Sequence, residues 1–364
     1  MRNIYRYSSF IIILFGMIGG NSYGSMSDNK GNVLYNMTVH AGTALPHNDM
    51  LIYLNCEYIR SIELNAWLGN SDIQKYNPIL GGGYLLSNLG NRDVFGEIHA
   101  AYFSLLNPMH TNKLHLDLKI NLGIAYATKK YNVHNNYFNR GIGSHLNMYG
   151  QIAVTGMFPI KGNTWMLRPG ISFHHVSNGT VVSPNSGINM LTIHAGMDFR
   201  SDHSHSGTFV IERDRLSKMK NRFAVIFAPG IKQMDRRIDK QIFTSSLIVD
   251  YGYMMGPEFS IGMGLGFFYN DTWAYSPYSE KDESLSPFQT AVHVSLQRDM
   301  GPLAFFLHPG TYIYMPARDI PYFTGRLGLR YKLENNLTLQ FAIKHHWFAI
   351  ADYFEWGIGY EFKR

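Results

Sequence analysis

The 364-residue chain carries 32 Lys and Arg against 26 Asp and Glu, a formal charge of +6, and has no basic patch of the kind a nucleic-acid binder needs. Its single cysteine, Cys56, excludes an internal disulfide framework and a cysteine-based zinc site. Aromatic residues make up 14% of the chain and glycines number 35, while charged residues are only 16%; that balance fits a girdled, glycine-tolerant barrel wall better than a soluble domain.

Residues 1–24 read as an export signal. Arg2 and Arg6 stand without an acid, an apolar run through Ile11, Ile12, Ile13, Leu14 and Phe15 follows, and Ser22, Tyr23 and Gly24 precede a plausible cleavage point. That run, about 12 residues, is too short for a spanning helix, which takes about 20, and no later stretch reaches that length. Removing the segment takes away two arginines and lowers the charge from +6 to +4. Cys56 lies too far along to be the lipid-modified cysteine of a lipoprotein.

Residues 25–200 are expected to form the N-terminal part of a barrel. The clearest strand covers residues 113–126, where Leu114, Leu116, Leu118, Ile120, Leu122, Ile124 and Tyr126 alternate with Lys113, His115, Asp117, Lys119, Asn121, Gly123 and Ala125. Strict period-two alternation over this length means one apolar and one mostly polar face, and enough rise to cross the hydrocarbon of a tilted barrel.

Residues 173–179 close a strand, a Pro184-Asn185-Ser186-Gly187 turn signal follows, and Ile188 opens the returning strand. The odd positions Ile171, Phe173, His175 and Ser177 share one face, as do Asn189, Leu191, Ile193 and Ala195. The even positions Ser172, His174, Asn178, Thr192 and His194 read as lumen, with Val176 and Met190 as apolar exceptions. His175, Ser177 and Asn189 thus stand together on an otherwise apolar, lipid-facing wall, where polar groups are costly and point to function. A serine needs a base to take its proton, and histidine titrates nearest neutrality. Spacing of two on a strand puts both on one side, and Asn189 is placed to accept the other imidazole N–H and fix its tautomer. His174, next in sequence to this base, faces the other way.

Residues 201–219 form a polar connector in which His203 and His205 read as solvated. Residues 220–364 repeat the barrel pattern. Gly262, Gly264 and Gly266 alternate as in a wall strand and lack the strand-to-helix setting of a phosphate loop. Arg326, Arg330, Lys332 and Lys344 alternate with apolar residues on either side of a Glu334-Asn335-Asn336 turn, and such inward charges suit a polar lumen. His345-His346-Trp347 read as lumen and girdle residues, because adjacent strand positions face opposite ways. Phe354, Trp356, Ile358, Tyr360 and Phe362 share a face in the last strand. The expectation is an all-β, transmembrane antiparallel barrel of about 14–16 strands. A single barrel is favoured over two of eight strands, since one closure is the simpler way to leave no edge in lipid.

His175-Val176-Ser177-Asn178, with Pro184-Asn185 and Gly187-Ile188-Asn189 after it, resembles the active-site strand pair of the outer-membrane lipid A 3-O-deacylase family. The segments 122–130 and 141–147, and Trp356-Gly357-Ile358-Gly359-Tyr360, look like the longer members named acyloxyacyl hydrolases. The resemblance implies Ser177 as nucleophile, His175 as base and Asn185 as oxyanion donor. The short deacylases place Glu where Asn189 stands. Outer-membrane phospholipase A is similar in another way: its His-X-Ser-Asn-Gly strand, with Asn twelve residues after the Ser, matches His175, Ser177, Asn178, Gly179 and Asn189. That likeness implies the Gly179 amide, beside Asn178, at the oxyanion. The phospholipases need calcium, but the loop over residues 180–187 has no carboxylate, so no metal or cofactor is expected.

The expected function is an outer-membrane lipid-ester hydrolase that removes an acyl chain from lipid A by a Ser-His-Asn mechanism. A phospholipase A and a non-catalytic porin or structural barrel are the alternatives. The expected partner is lipid A or phospholipid within the outer membrane and not nucleic acid; the sequence gives no oligomeric state.

Overall fold

The computed structural model describes residues 32–47, 49–69, 79–110, 115–161, 165–200, 221–235, 238–256, 258–274, 285–300, 302–316, 322–346 and 350–363. The expected export signal, the connector with His203 and His205, and Trp347 lie outside these residues. The chain divides into two compact units, and each is a closed antiparallel barrel.

The first barrel contains β1 (Asn32–Leu45), β2 (Ile59–Gly69), β3 (Ile79–Asn88), β4 (Glu97–His110), β5 (His115–Ala127), β6 (Leu146–Gly156), β7 (Phe158–Lys161), β8 (Trp165–Ser177) and β9 (Ile188–Arg200), with a short helix, α1 (Asp49–Leu54), between β1 and β2. Neighbours in sequence pair down the wall, β1 pairs with β9, and β6 pairs with β8, so eight strands close; β7 is a short ribbon on β8 alone. The alternation is that of a soluble protein turned inside out. On β1, Tyr35, Met37 and Val39 are about half exposed, whereas Asn36, Thr38 and His40 between them are 5% exposed or less. Only a surrounding apolar solvent makes that arrangement favourable.

The interior is packed with hydrogen-bonded polar groups. Glu63 accepts from Lys119 Nζ at 2.6 Å, from Tyr102 at 2.8 Å and, through its other oxygen, meets His40 Nε2 at 2.7 Å. Arg168 bridges Asp117 and Asp198. Eight strands leave an interior just wide enough for side chains to fill. Ser172, His174, Thr192 and His194 lie inside as expected; His174 spans Tyr149 and Thr192 and so takes no part in the outward cluster.

The exceptions Val176 and Met190 have a physical reason. With Ile188 they join an apolar cluster at the β8–β9 loop end of the barrel, where Leu51 of α1, Leu89, Phe95 and Ile142 of the loops also pack. The loops at this end are therefore pinned by burial.

The second barrel is β10 (Asn221–Asp235), β11 (Ile238–Met254), β12 (Phe259–Asn270), β13 (Phe288–Met300), β14 (Leu303–Tyr314), β15 (Phe323–Lys332), β16 (Leu337–His346) and β17 (Ile350–Lys363), closed by β10 against β17. Arg326, Arg330 and Lys344 are buried inside, and Trp356, Ile358, Tyr360 and Phe362 are exposed outside. Asn335 and Asn336 both take φ near +60° in the tight turn over Glu334–Asn336, a conformation that asparagine tolerates. Gly262, Gly264 and Gly266 lie in β12 between β11 and β13. His345 and His346 do not divide between lumen and girdle: both are buried, and the β16–β17 register shifts between Lys344 and His345, which breaks simple alternation there.

The preference for one large barrel is overturned. The requirement behind it, that no edge strand face lipid, is met twice, by β1–β9 with β6–β8 and by β10–β17.

Candidate active site

Register places the site. His175 on β8 is directly opposite Asn189 on β9, which in turn is opposite Leu45 at the end of β1. Ser177 follows His175 on the same outward face, and Gly150 of β6 flanks His175 on its other side. His175 and Asn189 are half-buried, while Ile171, Leu191 and Ile193 below them are exposed.

The three expected side chains touch in order. Ser177 Oγ lies 2.8 Å from His175 Nε2, and His175 Nδ1 lies 2.6 Å from Asn189 Oδ1. Because a carboxamide oxygen only accepts, His175 carries its proton on Nδ1 and presents a lone pair to the serine hydroxyl. This arrangement can draw the Ser177 proton onto the imidazole while the Asn189 oxygen steadies it.

The loop that joins β8 to β9 is held from two directions. Asn178 donates from its backbone N–H to Asn185 Oδ1 at 3.0 Å, and from Nδ2 to Ser144 Oγ at 2.9 Å. Ser186 and Gly187 donate backbone N–H groups to the carbonyls of Arg140 and Gly141, at 3.1 and 3.0 Å. Burial of neighbouring Ile142 anchors that supporting segment. Gly187 has φ +72°, and a Cβ there would fall 2.9 Å from His175 Cε1 and 3.3 Å from Ser177 Cβ, so the loop passes over the site only as glycine. Gly179, with φ +60°, and Thr180, with φ +66°, carry the chain into its turn.

Asn185 has its amide orientation fixed, since Oδ1 accepts from Asn178. Its Nδ2 is then left buried without a hydrogen-bond partner. A buried donor without a partner is expensive. Asn178, by contrast, spends both its backbone N–H and its Nδ2 on protein partners.

Sequence reasoning did not name His47 or Ser144. His47 lies 142 positions before Asn189 and meets it only because β1 pairs with β9. Ser144 falls in the 141–147 segment noted above, but nothing in that segment signals its contact with Asn178.

Among the described residues, one other cluster has ligand-type chemistry. Asp250, His293 and His308 of the second barrel bring their donor atoms within 4.8 Å of one another. Asp250 already accepts from Arg330 at 2.7 Å and meets His293 Nε2 at 2.6 Å, and Arg326 sits 2.7 Å from His308 Nδ1. Two guanidinium groups at this distance neutralise the carboxylate and repel a cation, so the donor set does not suit a metal. No helix among the described residues is long and apolar enough to cross a membrane, which says nothing of strands.

A family model described as lipid A 3-O-deacylase matches residues 61–198, and one described as acyloxyacyl hydrolase, C-terminal domain, matches residues 221–364. The chain belongs to the lipid A 3-O-deacylase family. Membership in the deacylase family places it in the outer membrane and implies hydrolase activity with lipid A as substrate. The deacylase match covers β8, the loop after it and β9 as far as Asp198, and so includes Ser177, His175 and Asn189. No curated protein matches the sequence. Among solved structures, the chain is similar to an outer-membrane channel from Pseudomonas putida F1, with 11% identity over 94% of this chain and 100% of that one, at a TM-score of 0.21. It is also similar to the siderophore receptor PirA from Acinetobacter baumannii, with 10% identity over 88% of this chain and 69% of that one, at a TM-score of 0.24.

Proposed function

We propose that this protein removes an ester-linked acyl chain from lipid A, with Ser177 as nucleophile, His175 as general base and acid, and Asn189 as the group that orients His175. The observation that carries the proposal is the continuous Ser177–His175–Asn189 hydrogen-bond chain on the outward face of the deacylase-family barrel. Ser177 Oγ attacks the ester carbonyl carbon as its proton passes to His175 Nε2. The tetrahedral intermediate collapses, the sugar oxygen leaves with the proton returned from His175, and the acyl chain stays on Ser177. Water, deprotonated by His175, then releases the fatty acid. The unpartnered Asn185 Nδ2 is the donor we assign to the oxyanion, together with the Gly179 amide. Asn189 leaves the imidazolium without a countercharge, so the rate is expected to fall short of a site with a carboxylate there.

The test is mass spectrometry of lipid A and phospholipids from cells that express the wild type or Ser177→Ala. Loss of one acyl chain from lipid A with the wild type alone supports the proposal. Asparagine as third member also occurs in the phospholipase pattern, so lysophospholipid in place of trimmed lipid A would redirect the activity to phospholipids. Identical lipids from both strains would leave a non-catalytic barrel.

A further inference from the structure

The hydrogen-bond chain does not stop at Asn189. His47, two residues beyond the end of β1, has Nδ1 3.4 Å from Asn189 Nδ2 and Nε2 2.9 Å from the Ser186 carbonyl oxygen. A carbonyl oxygen only accepts, so Nε2 carries the proton of neutral His47 and Nδ1 keeps a lone pair. That lone pair selects the donor end of the Asn189 carboxamide, which turns Oδ1 toward His175. All the donors then point one way along the chain: Ser177 to His175, His175 to Asn189, Asn189 to His47, His47 to Ser186.

The reversed carboxamide would set Nδ2 against His175 Nδ1. It would demand a lone pair there, move the imidazole proton to Nε2, and leave His175 unable to accept from Ser177. A carboxylate in the third position has no wrong way round, because both its oxygens accept. A carboxamide does, and something must choose.

We propose that His47 is a positioning residue that holds the Asn189 carboxamide with Oδ1 on His175 and so keeps His175 in the tautomer that can deprotonate Ser177. The inference rests on the Ser177–His175 reading above. His47 is exposed, so core packing does not account for its placement between strand and loop.

The test compares kcat and KM for His47→Ala and His47→Asn in the native background and in Asn189→Asp, together with 15N spectra of His175 in detergent. His47→Ala is expected to lower kcat about 3- to 10-fold with KM held within about twofold, the size of one neutral hydrogen bond. His47→Asn puts a carbonyl oxygen where Nδ1 was and drops the Ser186 contact, so it is expected to restore kcat. In Asn189→Asp, which has no N–H to place, loss of His47 is expected to change kcat by less than about twofold. The His175 resonances are expected to move from one Nδ1–H tautomer to a mixture in His47→Ala. Equal losses in both backgrounds would reduce His47 to a prop for Ser186 and overturn the inference, as would unchanged His175 spectra. Ser177→Ala serves as the control: activity surviving there would end the Ser–His reading, and the spectra would still decide for or against His47.

Discussion

Asn185 offers the sharpest single-residue test of how the oxyanion is held. Its two amide atoms have separate tasks: Oδ1 fixes the Asn178 backbone, and Nδ2 is buried without a partner. Asn185→Asp keeps the acceptor and removes the donor, so the loop stays in place while the oxyanion loses a hydrogen bond. Loss of such a donor is expected to lower kcat about 100- to 1,000-fold with little change in KM or thermal stability. A variant as active as the wild type would remove Asn185 from the mechanism and leave the Gly179 amide to act alone. At this scale the sequence was partly legible. His175 and Ser177 stand two apart on one strand, and Asn189 lies across a single hairpin, so local alternation brings all three to one face. His47 escaped notice because only the β1–β9 pairing, which links opposite ends of the first barrel's sequence, carries it to the site. The partnerless Nδ2 of Asn185 was equally hidden, since it follows from a loop conformation that no residue spacing encodes.

Strand alternation made β5, β8, β9 and the last strands readable, because the period of two survives whichever solvent lies outside. It failed where inward apolar residues interrupt it. Val176 and Met190 belong to the cluster that seats the loops, and that need is invisible without knowing which end of the strand is capped. Alternation also exposes a feature of β6. Gly150, directly across from His175 and on the same outward face, has open space where a Cβ would stand. Beside the histidine proposed as base, a bare patch of wall is where a bulky sugar–acyl junction can lie close to the proposed nucleophile. Gly150→Leu adds an apolar side chain to a lipid-facing position, so folding is expected to be unharmed, as read by heat-modifiable gel mobility. KM for lipid A is expected to rise at least about 10-fold, the cost of about 1.4 kcal/mol of lost binding, while a short soluble ester is cleaved normally. Equal loss on both substrates would mean that the leucine disturbs His175 itself and that Gly150 does not border the substrate.

At the level of the whole chain, the sequence pattern demands closure but does not fix the number of closures. An unpaired edge in hydrocarbon leaves a row of N–H and C=O groups unsatisfied, at several kcal/mol each, so any spanning sheet must close. Strand number alone does not say whether sixteen strands close once or as eight and eight. The deciding information lies in two long-range pairings, β1 with β9 and β10 with β17, whose partners are far apart in sequence and whose faces look like those of any other neighbouring strands. Double closure has a consequence that a single barrel lacks. Each barrel satisfies its own backbone ladder and fills its own interior with paired charges, Glu63 with Lys119 in one and Asp250 with Arg330 in the other. The Ser177, His175, Asn189 and His47 contacts all lie within the first. We therefore expect residues 25–200, expressed without the connector and without residues 220–364, to refold in detergent to a heat-modifiable β-barrel. That fragment is expected to keep lipid-ester hydrolysis within about 10-fold of the full chain, because every hydrogen bond in the proposed Ser-His-Asn chain is retained. A fragment that folds yet is inert would assign the second barrel a direct part in catalysis or substrate capture. One that fails to fold would show that the first closure depends on the rest of the chain for stability.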